Sequence, residues 1–284
     1  MAQKWFSPVA AKLAAHRATV SRPLLLAVNG SQGSGKSTLA DYLVASLKFE
    51  HQLSVVTLSL DDFYYTHSER LQLSRKVHPL LATRGVPGTH DMELLNRTLD
   101  ALLASPRSPG RSTAVNIPRF DKANDDRLPE SGWETISGPL DIIILEGWCL
   151  GVRPQSAQQL ELPVNDLEKN EDAQGVWRFY VNDKIQSQLL PLYNRVDRWL
   201  MLQATSFDCV FRWRLEQEQK LAQSLSHKTS SKTMGEAEIA RFIQYYQRLT
   251  EQCIKDLPGK VHYLYQLDKG RNILNVEYRD SVSG

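Results

Sequence analysis

The chain has 284 residues, 42% hydrophobic and 23% charged, a globular balance that argues against disorder. Its 34 basic and 32 acidic residues leave a formal charge of +2, so no broad field advertises nucleic acid or an anionic membrane. The apolar runs are strand-sized, well short of the roughly 18 residues a membrane span needs. Cys149, Cys209 and Cys253 are odd in number and form no C-x-x-C pair. That suggests neither a zinc knuckle nor a disulfide framework and suits a reducing, cytoplasmic setting.

Residues 1–22 carry Lys4, Lys12, Arg17 and Arg22 with no acidic residue, a composition shared with transit segments. Trp5, Val9 and Leu13 nonetheless recur at i, i+4 and i+8, and the segment is read as an N-terminal helical extension. Leu24 to Val28 is a continuous apolar run, suited to a strand buried on both faces. Ser37 onward reads as a helix with Leu39, Leu43 and Leu47 on one face. Leu53 to Leu60 is a second strand ending in acids, and Asp91 to Ala104 a helix stopped by Pro106, Pro109 and Gly110. Strands follow at Thr113 to Ile117, Leu140 to Leu145, Trp199 to Leu202 and Val261 to Leu267. Helical stretches fall at about 176–190, 207–223 and 235–255. The segments 153–174 and 224–234 read as irregular and mobile.

Strands alternating with helices predict an α/β chain with right-handed crossovers and a mainly parallel central sheet. With the run G-x-x-x-x-G-K-S from Gly30 to Ser37 after the first strand, the expectation is a P-loop NTPase fold, three layers α/β/α, in one domain over 1–284. It carries a polar insertion at 153–174 and a lid at about 205–234.

The decisive segment is Gly30-Ser31-Gln32-Gly33-Ser34-Gly35-Lys36-Ser37, followed by Thr38. This is a full G-x-x-x-x-G-K-S. Its glycines let backbone N–H groups turn inward around phosphate oxygens, and the next helix aims its positive end at the same anion. Lys36 is expected at the β- and γ-phosphates of ATP, and the Ser37 hydroxyl on Mg²⁺.

In such a sheet ligands bind beyond the carboxyl ends of the strands, and two strands end there in carboxylates. Leu58-Ser59-Leu60 leads to Asp61, Asp62 and Tyr64, and Ile142 to Leu145 leads to Glu146. Phosphorylating an alcohol needs a carboxylate that orients the hydroxyl and accepts its proton, and a group that organises the metal. Asp61 suits the first role, with Asp62 beside it, and Glu146 the second. Ser37, Asp61 and Glu146 are the metal candidates. The same acids also serve as ordinary strand-ending turn formers.

Arg84-Gly85-Val86-Pro87-Gly88-Thr89-His90-Asp91 leads into a helix, and Arg84 and His90 offer donors to an anionic or hydroxylated substrate; an ordinary turn and helix cap uses the same residues. Arg119 and Lys122, in Pro118-Arg119-Phe120-Asp121-Lys122, could clamp a carboxylate or phosphate, or form local charge pairs. Arg212 and Arg214 lie two apart, on different helical faces, each with a glutamate four residues on. Either one serves as a lid arginine over the transferring phosphoryl, or both make surface ion pairs.

Together these segments resemble the plant and fungal type of D-glycerate 3-kinase, within the uridine kinase, pantothenate kinase and phosphoribulokinase group of P-loop kinases. The resemblance runs from about Leu24 to the C-terminus. It rests on S-Q-G-S-G-K-S, S-L-D-D-F-Y, R-G-V-P-G-T-H-D, P-R-F-D-K, L-E-G-W-C-L-G and F-R-W-R-L. It implies ATP, Mg²⁺, a small hydroxylated acceptor such as glycerate, and Asp61 as catalytic base. It adds weight to His90, Arg119 and Lys122 on the substrate side and to F-R-W-R as a lid. Ala123-Asn124-Asp125-Asp126-Arg127 departs from the tyrosine- and glycine-rich stretch usual after P-R-x-D-K, and 153–174 looks like a local elaboration. Other readings are a kinase for another small alcohol, or a nucleotide-dependent regulator. A guanine-type switch lacks its N-K-x-D, and a nucleic-acid enzyme lacks a basic stripe.

Overall fold

In a computed structural model describing residues 2–104, 114–225 and 235–282, the apolar run at Leu24 sits at the centre of a six-stranded sheet. The chain opens with α1 (Ala2–Arg17), β1 (Leu24–Gly30), α2 (Lys36–Phe49) and β2 (Val55–Ser59). A 3₁₀ turn at Leu60–Phe63 leads to α3 (His67–Lys76) and α4 (Met92–Leu103). Four short strands follow: β3 (Val115–Ile117), β4 (Phe120–Asp121), β5 (Asp126–Arg127) and β6 (Glu134–Ile136). Next come β7 (Ile142–Gly147), α5 (Ala157–Glu161), α6 (Asp166–Glu171), α7 (Val176–Lys184) and α8 (Leu190–Tyr193). The chain closes with β8 (Arg198–Gln203), α9 (Phe207–Leu225), α10 (Glu236–Asp256), β9 (Tyr263–Leu267) and β10 (Ile273–Tyr278).

The strand order is β10-β9-β8-β1-β7-β2, parallel except for the last hairpin, β9–β10. Alternation along each strand divides the core in two. Leu25, Ala27, Ile143 and Leu145 face α4, α7 and α10, through residues such as Leu95, Leu99, Val181 and Leu249. Leu24, Leu26, Val28, Ile142 and Ile144 face α1, α2 and α9, through Val9, Leu13, Leu43 and Val210. This is the expected three-layer arrangement of a P-loop kinase fold. The N-terminal helix is present, with Val9 and Leu13 fully buried. No helix of the described residues is long and apolar enough to cross a membrane.

Three expectations change. The strand at Thr113 to Ile117 narrows to β3, outside the main sheet and paired antiparallel with β6; Thr113 lies outside the described residues. Its three residues alternate buried and exposed, which suits a half-covered ribbon and not a strand buried on both faces. The helix at 176–190 widens into a π turn at Ile185–Leu189, just ahead of Pro191, which has no N–H for a carbonyl one turn back. The insertion 153–174 is ordered. Arg178 donates to the carbonyls of Leu160 (2.6 Å) and Glu161 (3.2 Å) and to Asp172 Oδ2 (3.0 Å). Arg248 donates to both oxygens of Glu168 (2.7 and 2.5 Å) and to Leu162 O (2.7 Å). The polar composition that suggested mobility is the complement of two arginines arriving from later helices. The mobile reading of 224–234 falls almost wholly outside the described residues.

The Arg248–Glu168 pair is buried on both sides. Arg248→Ala should therefore cost about 3–5 kcal/mol, because it strands a desolvated carboxylate. Urea unfolding of the two proteins measures this, and a loss below about 1 kcal/mol would mean the insertion does not depend on the pair.

Candidate active site

The end of β1 sets the site. Asn29 donates its side-chain amide to the carbonyls of Trp148 (3.1 Å) and Leu150 (2.7 Å), tying the loop after β7 to the approach of the phosphate loop. Gly30 to Gly35 then curl back and α2 begins at Lys36, presenting its free N–H groups to the loop's hollow. Gly33 has φ +75°, and a Cβ there would lie 2.7 Å from the Cβ of Trp213 on α9. Only glycine combines that backbone with that contact. Lys36 Nζ donates to Ser31 O at 3.2 Å, folding its charge over the loop. Ser31 Oγ, Gln32 Oε1 and Ser34 Oγ are buried with no hydrogen-bond partner among the described residues. Thr38 is exposed in the first turn of α2.

Glu146 lies on β7 between Val28 of β1 and Ser59 of β2. Its Oε1 accepts hydrogen bonds from Ser37 Oγ (3.3 Å) and Ser59 Oγ (2.9 Å). The buried carboxylate thus joins the phosphate loop to the end of β2. Directly beyond β2, Asp61 accepts from the Tyr64 phenol (2.8 Å) and from Lys122 Nζ (3.0 Å). Burial pushes the Asp61 carboxyl up, but Lys122, the Tyr64 hydrogen bond and Lys36 outweigh it and hold it below the ordinary aspartate value. Asp62 turns the other way, accepting from the Phe120 N–H (3.1 Å) and Arg119 (3.0 Å). There burial wins and its carboxyl is raised despite those partners.

His90 is buried and stacks on Tyr64 with centroids 4.4 Å apart, the two residues also forming an isolated antiparallel bridge. Burial pushes its imidazole down to about 4 against the pull of Asp61, so the ring is neutral near pH 7. Its Nε2 has no partner among the described residues. Arg84 pairs with Asp125, which also holds the fully buried Arg70 at 2.9 Å. Gly85, at φ +142°, admits the ring of Tyr246, whose phenol donates to Arg84 O at 3.3 Å. Arg214 lies over the Phe242 ring at 5.5 Å and near enough to Tyr246 to act on its phenol, whereas Arg212 is exposed.

Contacts thus link the phosphate loop with Glu146, and Asp61 with Lys36, Tyr64, His90 and Lys122, while α9 packs on the loop through Trp213. Arg84 and Arg119 are engaged nearby with Asp125 and with Asp62 and Glu134. Sequence reading missed Ser59, Tyr246, Asp125 and Arg70. Ser59 was visible as the residue opposite a strand-end acid. Tyr246 had no signal, since α10 reaches the site from more than half the chain away.

The model of the Zeta toxin family matches residues 10–83. An uncharacterized kinase of Schizosaccharomyces pombe is 34% identical over 249 residues, 85% of this chain and 84% of that protein. The chain belongs to the D-glycerate 3-kinase-like family of P-loop kinases. The chloroplastic D-glycerate 3-kinase of Arabidopsis thaliana is 31% identical over 79% of this chain and 46% of its own length. The solved D-glycerate 3-kinase of Cryptococcus neoformans superposes with a TM-score of 0.78 at 25% identity, covering 98% of this chain and 99% of its own. As a member of this ATP-dependent family, the protein is a phosphotransferase with an alcohol group as acceptor.

The depressed imidazole of His90 has a consequence for stability. Between its folded value of about 4 and the ordinary 6.5, the unfolded chain binds a proton that the folded chain refuses. Stability is therefore lost as pH falls through this window. His90→Asn should shrink the loss between about pH 7 and about pH 4 by about 2–3 kcal/mol, read from urea melts.

Proposed function

We propose that this kinase transfers the γ-phosphoryl of Mg·ATP to the terminal hydroxyl of D-glycerate, giving 3-phosphoglycerate, with the whole chain acting as one kinase domain in the cytoplasm. The observation that carries the reading is the contact at Asp61. A carboxylate suited to accept a hydroxyl proton is held beside Lys122, a cation suited to an acceptor's own carboxylate. An acceptor bearing both groups satisfies both at once. When its carboxylate draws Lys122 away, Asp61 loses the partner that most lowers its basicity. Free, buried cysteines suit the reducing compartment.

The phosphate loop from Gly30 to Thr38 would hold the nucleotide, with Lys36 and the partnerless hydroxyls of Ser31 and Ser34 toward its phosphates. Arg214, not the exposed Arg212, is the lid arginine of this reading. Asp62 and Arg119 position the segment before the acceptor, Tyr64 orients Asp61, and His90 offers a neutral ring nitrogen to a hydroxyl. Among the described residues no three His, Cys, Asp or Glu side chains converge on a metal position. That fits Mg²⁺, which keeps waters and binds chiefly through phosphates. The Ser37 hydroxyl would hold the ion, with Glu146 and Asp61 reaching its waters. Bound there, it supplies neutralisation of phosphate charge.

The test is a panel of D-glycerate, L-glycerate, glycerol, uridine and pantothenate with Mg·ATP in a coupled ADP assay. D-glycerate should lead in kcat/KM, and glycerol, lacking the carboxylate, should fall by at least about 100-fold, near 3 kcal/mol. Equal turnover of glycerol would sink the carboxylate reading, and a lead by uridine or pantothenate would move the acceptor elsewhere. Asp61→Asn should lower kcat by about 10²–10⁴ with ATP affinity nearly unchanged, as measured by calorimetry.

A further inference from the structure

At the opposite end of the sheet from the phosphate loop, a cleft of about 310 Å³ opens between α1, the start of β8 and the end of β10. The first residue of β8, Arg198, lies on its wall, with His16, Lys12 and Arg279 around it. β8 runs parallel to β1, with Leu202 opposite Gly30, so Arg198 is roughly 13 Å down the strand from the phosphate loop. This place is independent of the active site.

Arg198 has an unusual set of partners. One guanidinium nitrogen meets His16 Nδ1 at 3.0 Å, and the other meets His262 Nε2 at 3.3 Å and the carbonyl of Asp197 at 3.0 Å. An imidazole nitrogen accepts from a guanidinium only when it is unprotonated. His16 fits that role; in His262, which burial first and then Arg198 push down to about 4, Nδ1 already accepts the Trp199 N–H at 3.1 Å, so Nε2 carries the ring's proton and offers Arg198 no acceptor. The carboxylate of its chain neighbour Asp197 is already committed to Arg22 and to the Leu25 N–H, each at 2.8 Å. Among the described residues no carboxylate lies within ion-pair distance of Arg198. A half-buried guanidinium whose acceptors are one imidazole nitrogen, one carbonyl and the Tyr263 phenol is a charge without a counter-ion, and partly desolvated charges are ordinarily paired.

Lys12 adds an exposed cation at the mouth, its ammonium lying over the ring of Tyr278 at 5.4 Å. Arg279 is neutralised by Glu277. Asp280, on the rim, pairs with none of these cations among the described residues. Tyr263 and Tyr278, edge to face at 6.1 Å, form an aromatic wall, and the Tyr263 phenol also accepts from Arg198. The volume equals about ten waters at roughly 30 Å³ each, more than a bare oxyanion fills.

We propose that this cleft is a binding site for a small phosphate-bearing metabolite, with Arg198 and Lys12 as its charge partners. Two uncompensated cations match the near-dianionic charge of a phosphate monoester at neutral pH. The remaining volume, against the tyrosines, takes the group that carries the phosphate.

The test is calorimetric titration of the full chain with inorganic phosphate and with glycerol 2-phosphate, at constant ionic strength. The phosphate loop is kept filled throughout by a non-hydrolysable ATP analogue and Mg²⁺. One site per chain is expected, tighter for the ester. Arg198→Gln and Lys12→Gln should each weaken it at least about tenfold, and Lys122→Gln, in the active site, should leave it unchanged. Lys12 is exposed on α1, so its variant reads the site even if Arg198→Gln fails to fold. No binding at millimolar ester, equal binding in all three variants, loss only in Lys122→Gln, or acetate binding as well as phosphate would each overturn the proposal.

Discussion

A single buried carboxylate carries the geometry on which the rest depends. Glu146 stands at the carboxyl end of β7, between β1 and β2, and accepts the hydroxyls of Ser37 and Ser59 through one oxygen. The first hydroxyl opens the helix behind the phosphate loop and the second closes the strand that delivers Asp61. Donor side and acceptor side therefore meet at one atom. Because the three strands are held in register by backbone hydrogen bonds, the distance between the loop and Asp61 is a property of the sheet.

Around that seam the charges are sorted by what surrounds them. Two adjacent aspartates diverge: Asp61 is held low by a lysine, a phenol and the loop lysine, while Asp62 is raised by burial. The pair thus separates into a carboxylate held ionised at the end of β2 and a group that fastens the Phe120 segment. The arginines divide likewise. Arg70, Arg178 and Arg248 are buried and bind carbonyls and carboxylates of the chain, whereas Arg214 lies over the Phe242 ring.

Much of this was legible in the sequence wherever the cause is local. The phosphate loop is eight consecutive residues whose mechanism is their own backbone, and the central strands are continuous apolar runs with one physical explanation. Asp61 and Glu146 were legible because a parallel sheet gathers its strand ends. What was not legible depends on partners distant in the chain. The insertion 153–174 reads as mobile until Arg178 and Arg248 are seen to hold it. Arg212 and Arg214 are equivalent on paper, and only the burial of Trp213 against Gly33 decides which of them turns inward. β10 was missed because its burial is partial, with Leu274 exposed, so its pattern is faint.

The knot of Arg70, Asp125 and Arg84 has a bearing on ancestry. It closes the stretch from β2 to β5 on itself, and that stretch rejoins the β2 end through the bridge between Tyr64 and His90. The residues proposed to face the acceptor are thus mounted on a subassembly with its own fastenings, while the phosphate loop belongs to the sheet. Mutation can rework the first without loosening the second. A lineage built this way can inherit its phosphate donor unchanged and exchange its acceptor by altering one contiguous piece of chain.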